Sequence, residues 1–196
     1  MSLLQTIHLE HLPTTPIHIA LYRNVTNASF LQQQLLTGNT DFEYAFIDAS
    51  VIVSRIHVLS AAYRAINALH SHRLRSRNVH SEIVFSLSPN NNIAESFRRF
   101  GVTAATTNLL VVKVGGDGEE VRRHLEGAVE GEGVGFEEEV LAGMVDVGRV
   151  RKIYKLNGSR GGAKKGVANR VGNEGEEIRE LEVSVLGAMA LRGASN

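Results

Sequence analysis

Asn108–Val114 reads NLLVVKV and runs directly into GGDG at Gly115–Gly118. A short apolar run rich in β-branched residues, closed by a glycine turn, is the pattern of a central strand. Upstream, Ile17–Tyr22 (IHIALY) alternates, with Ile17, Ile19 and Leu21 on one side and His18, Ala20 and Tyr22 on the other. That is a strand with one face buried. Tyr44–Asp48 (YAFID) is a shorter extended piece, and Ile83–Leu87 (IVFSL) reads as a further strand.

Helical patterns surround these runs. Thr26 or Asn27 caps a short helix carrying Phe30, Leu31 and Leu35, and Gly38 stops it. Ser54 precedes a longer one in which Ile56, Leu59, Ala62, Tyr63, Ile66 and Leu69 recur every three or four residues and so share a face. Ser88-Pro89 has the hydroxyl-then-proline chemistry of a helix start. Ile93, Phe97 and Phe100 form the stripe that follows, with Gly101 as a left-handed stop. Further helical patterns cover Glu119–Glu130 and Glu138–Leu156. Residues 157–176 are rich in Gly, Lys, Arg and Asn and read as a flexible or disordered loop. The last element, Glu177–Leu191, is a helix with Ile178, Leu181, Val185 and Met189 on one face. The expected architecture is α+β, one domain over 1–196: a small mixed sheet packed by several helices, plus a C-terminal helix after a Gly/Lys-rich loop.

Composition narrows the chemistry. The 196 residues are 43% hydrophobic and 21% charged, ordinary for a globular chain and too apolar for a disordered one. There is no Cys, which excludes a disulfide framework, a thiolate zinc site and a thiol nucleophile together. The N-terminal segment lacks a basic n-region and a continuous apolar core, and no window is apolar enough to span a bilayer. A cytosolic or nuclear location is expected, with the sequons at Asn24, Asn27 and Asn157 as chance matches. Gly115–Gly118 lacks the spacing of a phosphate loop, and no nucleophile elbow or zinc-protease motif occurs. His70, His72 and His80 lie among arginines that repel a divalent cation, so no metal site is expected. Paired acids at Glu119-Glu120, Glu137–Glu139 and Glu176-Glu177 read as solvated helix faces. No catalytic residues and no cofactor are assigned.

Lys+Arg and Asp+Glu both count 21, so the net charge is zero, but the charges are not mixed evenly. From Ala49 to Ser81 there is no acid, while Arg55, Arg64, Arg73, Arg75 and Arg77 all fall there; Arg98 and Arg99 follow. Arg73, Arg75 and Arg77 alternate, so an extended segment projects their guanidinium groups together. Such forks suit phosphate oxygens and stack on bases. Each arginine has an equally ordinary reading as a helix cap or an ion-pair partner. The last helix has two readings as well: packing on its own domain, or filling a partner's groove.

Arg75–Val102 (RSRNVHSEIVFSLSPNNNIAESFRRFGV), Tyr44–Ile66 (YAFIDASVIVSRIHVLSAAYRAI), Val150–Leu156 (VRKIYKL) and the closing Leu191-Arg192-Gly193 together resemble a known family. It is the small kinase-binding subunit of the KEOPS/EKC complex, the PRPK-binding protein (TPRKB) family, in a fungal-looking version. The resemblance spans most of 15–156 and the last helix. It leaves out the 157–177 insert and the Gly-rich stretch around Gly127–Gly135. It implies a non-enzymatic subunit that binds a Bud-type/PRPK atypical kinase, in part through the C-terminal helix. Through the kinase it joins a Kae-type threonylcarbamoyl transferase and the rest of the complex. That assembly makes threonylcarbamoyladenosine beside the tRNA anticodon, with the small subunit helping to recruit tRNA by its single-stranded 3′ end. Links to telomeres and transcription imply nucleus, chromosome and cytoplasm, with no membrane partner.

On this reading Ile178, Leu181, Val185, Met189 and Leu191 are the expected kinase-docking residues. Arg73, Arg75 and Arg77, with Arg64, Arg98 and Arg99, are the expected tRNA contacts. Two other functions stay open from the residues alone: a structural adaptor that touches no RNA, and a small metal-independent enzyme acting on a nucleotide. The second lacks any nucleophile–base pair.

Overall fold

The computed structural model describes residues 3–156 and 170–192. In chain order the main elements are β1 (Gln5–Leu9), β2 (Leu12–Arg23), α1 (Ala28–Thr37), β3 (Ala45–Asp48), α2 (Arg55–His70), α3 (Val79–Leu87) and α4 (Ile93–Phe100). Then come β4 (Leu109–Val114), α5 (Gly118–Ala128), β5 (Glu132–Val134), α6 (Glu138–Ala142), α7 (Val147–Ile153) and α8 (Arg170–Arg192). The α+β class and the central place of NLLVVKV hold. β4 lies between β2 and β3 in the order β1-β2-β4-β3, and β5 pairs with the end of β2. Every pairing is antiparallel, where a mixed sheet was expected.

Both sheet faces are buried, not one. Ile17, Ile19 and Leu21 of β2 join Ala45, Ile47, Leu110 and Val112 against α2, α3, α7 and α8. On the other face Ala20, Tyr22, Phe46, Leu109 and Val111 meet Leu31 of α1 and Val121 and Leu125 of α5. Period-two alternation therefore sorts residues between two cores, and the small Ala20 made one of them look like a solvent face.

IVFSL is helix, not strand. Asn78 caps α3 by accepting a hydrogen bond from the Ser81 amide, and the helix is buried on nearly every side. A short apolar run has no period that separates a buried strand from a buried helix. Ser88-Pro89 does not open α4. Ser88 ends α3 in extended conformation, and Asn92 caps α4 by accepting from the Glu95 amide. Gly38 stops α1 as expected, in the left-handed conformation at φ 70°. Gly101 is not: it is extended at φ −71°, ψ 161°, and is needed because a Cβ would sit 2.6 Å from the Phe97 carbonyl oxygen. The Glu138–Leu156 pattern is two short helices, α6 and α7.

On α2 the buried residues are His57, Val58, Ala61, Ala62, Ala65 and Ile66, while Ile56, Tyr63 and Leu69 stay exposed. The alanines let α2 lie close on α3, and this displaces the stripe of larger residues to the side. Of the segment read as a loop, residues 157–169 lie outside the described residues, and α8 already runs from Arg170.

Candidate functional site

The arginine-rich connector between α2 and α3 is built by one buried acid. Glu82, 5% exposed, accepts through Oε2 from the Arg75 amide (3.0 Å), the Ser76 amide (2.8 Å) and the Ser76 hydroxyl (2.6 Å). The clamp bends the segment over residues 75–78, with Arg73, Arg75 and Arg77 exposed and Leu74, Ser76 and Asn78 partly buried. This acid thus serves the backbone of the arginine segment and pairs with none of its guanidinium groups. None of the three guanidinium groups forms an ion pair among the described residues.

The other predicted arginines differ. Arg98 is largely exposed and 3.6 Å from Glu95. Arg99 pairs with the same carboxylate and donates to the Ile153 carbonyl at 3.1 Å, so its groups are taken internally. Arg64 is half-buried and donates to the Met189 carbonyl of α8. Arg75, Arg77 and Arg98 come together at the rim of a cavity of about 650 Å³ between α1, β3, α3 and α4. Its floor is apolar, with Leu35, Phe42, Phe46, Val84 and Phe97.

His80 also lines this cavity. Its Nε2 accepts from the Val114 amide at 3.1 Å, while Nδ1 is buried without a partner. Burial first, and the Lys113 ammonium second, push its pKa down to about 3, so the ring is neutral. No group of three His, Asp or Glu side chains among the described residues converges as metal ligands do. His70 and His72 are exposed, while His80 is buried.

The predicted docking residues divide as well. Leu181, Val185 and Met189 are buried in the chain's own core, at 4%, 0% and 2% exposure. Burying such a side chain stabilises by about 1.5–3 kcal/mol, so this stripe holds α8 to its own body. Ile178 is half-buried and Leu191 exposed. What remains open is a groove of about 540 Å³ where α8 lies along α2. Ile56, Leu59 and Tyr63 of α2 form one wall, Leu186 and Ala190 of α8 the other, and Leu9 with His11 from the β1–β2 turn closes one side. The sequence reading put Ile56 and Tyr63 on the same helix face as Ala62 and Ile66, which are buried. The alanine face on α2 was the signal that they lie elsewhere.

The molecule thus has an apolar groove, an arginine strip and an apolar cavity behind that strip. Residues 22–193 match the family described as kinase binding protein CGI-121. The chain belongs to this family. CGI-121 relatives cover it almost end to end. A protein of Aspergillus terreus is 55% identical, with 99% of each chain covered, and one of Aspergillus fumigatus is 53% identical, with 98% of each covered. A Schizosaccharomyces pombe protein is 32% identical over 93% of this chain and 97% of its own. All three bear the description EKC/KEOPS complex subunit cgi121. CGI-121 is a kinase-binding family whose role is that of a non-catalytic adaptor.

Proposed function

We propose that the chain is a subunit of an EKC/KEOPS complex that docks a Bud-type/PRPK kinase and helps to present tRNA to the threonylcarbamoyl transferase held there. The observation that carries this reading is the pairing, on one small body, of an apolar groove and a strip of arginines that form no ion pair, both among the described residues. The groove has the chemistry of a helix or loop acceptor, with aromatic and branched side chains around a concave centre. Arg73, Arg75 and Arg77 offer phosphate contacts. The cavity behind Arg75 and Arg77 offers an apolar floor on which an unpaired nucleobase of a single-stranded 3′ end can rest. Roles at telomeres and in transcription, and residence in nucleus and cytoplasm, would follow from membership of the complex.

The RNA half is tested by filter binding of tRNA across a salt series. Wild-type affinity should fall steeply with salt. The Arg73→Ala, Arg75→Ala, Arg77→Ala triple variant should bind more weakly, with a log–log slope shallower by about 2, at roughly 0.7 per single-strand phosphate. Unchanged affinity and slope would leave an adaptor that touches no RNA through this strip.

A further inference from the structure

Arg75 faces a second, smaller pocket as well. It is about 170 Å³ and is framed by four guanidinium groups: Arg64 of α2, Arg73 and Arg75 of the connector, and Arg192 at the end of α8. That volume is below the roughly 300–1,000 Å³ of drug-sized ligand sites and suits a small anion. Glu82 is the one carboxylate lining it, and its Oε2 is occupied by Ser76 and two backbone amides. None of the four arginines is in an ion pair among the described residues.

Arg192 is the unexpected member, since the sequence reading gave it no binding role. It is 8% exposed, stacks 3.9 Å from the Phe85 ring centroid, and donates through one nitrogen to the Phe85 carbonyl and, at 2.7 Å, to the Ser88 carbonyl. Burial, then the nearby Arg64, lower its pKa to about 10, with Arg75 acting in the same direction and Glu82 against it. Cations gathered in a half-buried pocket repel one another, and a tetrahedral anion offsets that repulsion while using the free edges of the forks.

We infer that this pocket binds a phosphate group, and that its occupant ties the end of α8 to α2, so that phosphate binding and partner docking in the α2–α8 groove strengthen each other. The tie is visible in the contacts. Arg64 holds the Met189 carbonyl of α8, and Arg192 reaches from α8 into the end of α3. Arg64 lines both this pocket and the docking groove, and Met189, whose carbonyl it holds, lines the groove. A bridging anion stiffens the wall on which a partner would sit, and linkage makes the gain reciprocal. The coupling half rests on the docking reading above; the binding half does not.

The test uses the full chain with inorganic phosphate titrated against chloride at constant ionic strength, followed by ³¹P NMR and by amide exchange. Saturable binding with a Kd on the order of 1 mM is expected, with slower exchange of the amides at 186–192. Arg73→Ala, in an exposed connector position, should weaken binding about tenfold. Arg192→Lys keeps the charge but loses the fork, and should weaken it too. Absence of saturation up to about 20 mM phosphate, or equal binding by both variants, overturns the site. A short single-stranded RNA that competes with phosphate marks the occupant as a backbone phosphodiester, and simultaneous binding marks it as free phosphate; either supports the pocket. Kinase affinity should rise about threefold in phosphate for wild type and not for Arg73→Ala. Phosphate binding with no change in kinase affinity overturns the coupling alone, and phosphate binding with no kinase docking at all overturns the docking reading instead.

Discussion

At the residue scale, two histidines are structural and make folding sensitive to acid. His57 is fully buried; its Nδ1 accepts from the Val53 amide at 3.3 Å, so Nε2 carries the proton and donates to the Tyr154 hydroxyl at 2.9 Å. Tyr154 in turn donates to the Leu87 carbonyl at 2.5 Å, and burial drives its pKa upward. Burial pushes His57 down to about 3, as it does His80. An unfolded histidine titrates near 6.5. Between these values the unfolded chain takes up protons that the folded chain refuses. Stability is therefore full above about pH 6.5 and is lost as pH falls toward 3. At about pH 5 each histidine should cost roughly 2 kcal/mol, so urea melts should show a drop of about 4 kcal/mol from neutrality. Equal stability at the two pH values would mean that these rings are not buried as described. In sequence all three of His70, His72 and His80 lie among arginines, and His70 and His72 are exposed. His80 differs because the cap at Asn78 turns the chain into α3 and carries the ring inside.

At the scale of elements, periodicity was readable where an element has one buried face and misleading where it has two or none. The α8 stripe is right in spacing, but its buried members serve this chain. Val185→Asp should therefore unfold or strongly destabilise the protein, by about 3–5 kcal/mol for an unpaired buried charge. Ile56→Asp and Tyr63→Asp, in the groove, should each change stability by no more than about 0.5 kcal/mol. Chemical denaturation of the three variants checks this; a tolerant Val185→Asp would mean that α8 is not packed as an integral layer. On α2 the larger residues drew attention, yet small Ala61, Ala62 and Ala65 make the close contact. α3 was misread because a helix buried all round has no polar face to reveal its period. β5 was missed because Gly131 and Gly133 hide a short strand in a glycine-rich stretch. The arginine connector was legible because alternation in an acid-free segment needs no tertiary knowledge. Arg192 was not, because its partners lie more than a hundred residues away in sequence.

At the scale of the whole molecule, zero net charge and an even composition conceal two segregated surfaces. The sheet, buried on both faces, is the plate on which they are mounted. The groove and the small four-arginine pocket lie on the face that carries α2, α3 and α8, while the larger cavity opens at the sheet edge where α1 and β3 meet α3 and α4. The central claim is that the chain acts by holding partners, with the α2–α8 groove as the kinase's seat. The most direct measurement is the affinity of the cognate kinase for an Ile56→Asp, Tyr63→Asp double variant whose denaturation midpoint matches wild type. The account predicts a loss of at least about hundredfold, as expected for two hot-spot positions of about 2 kcal/mol each. Wild-type affinity in that folded double variant would contradict it.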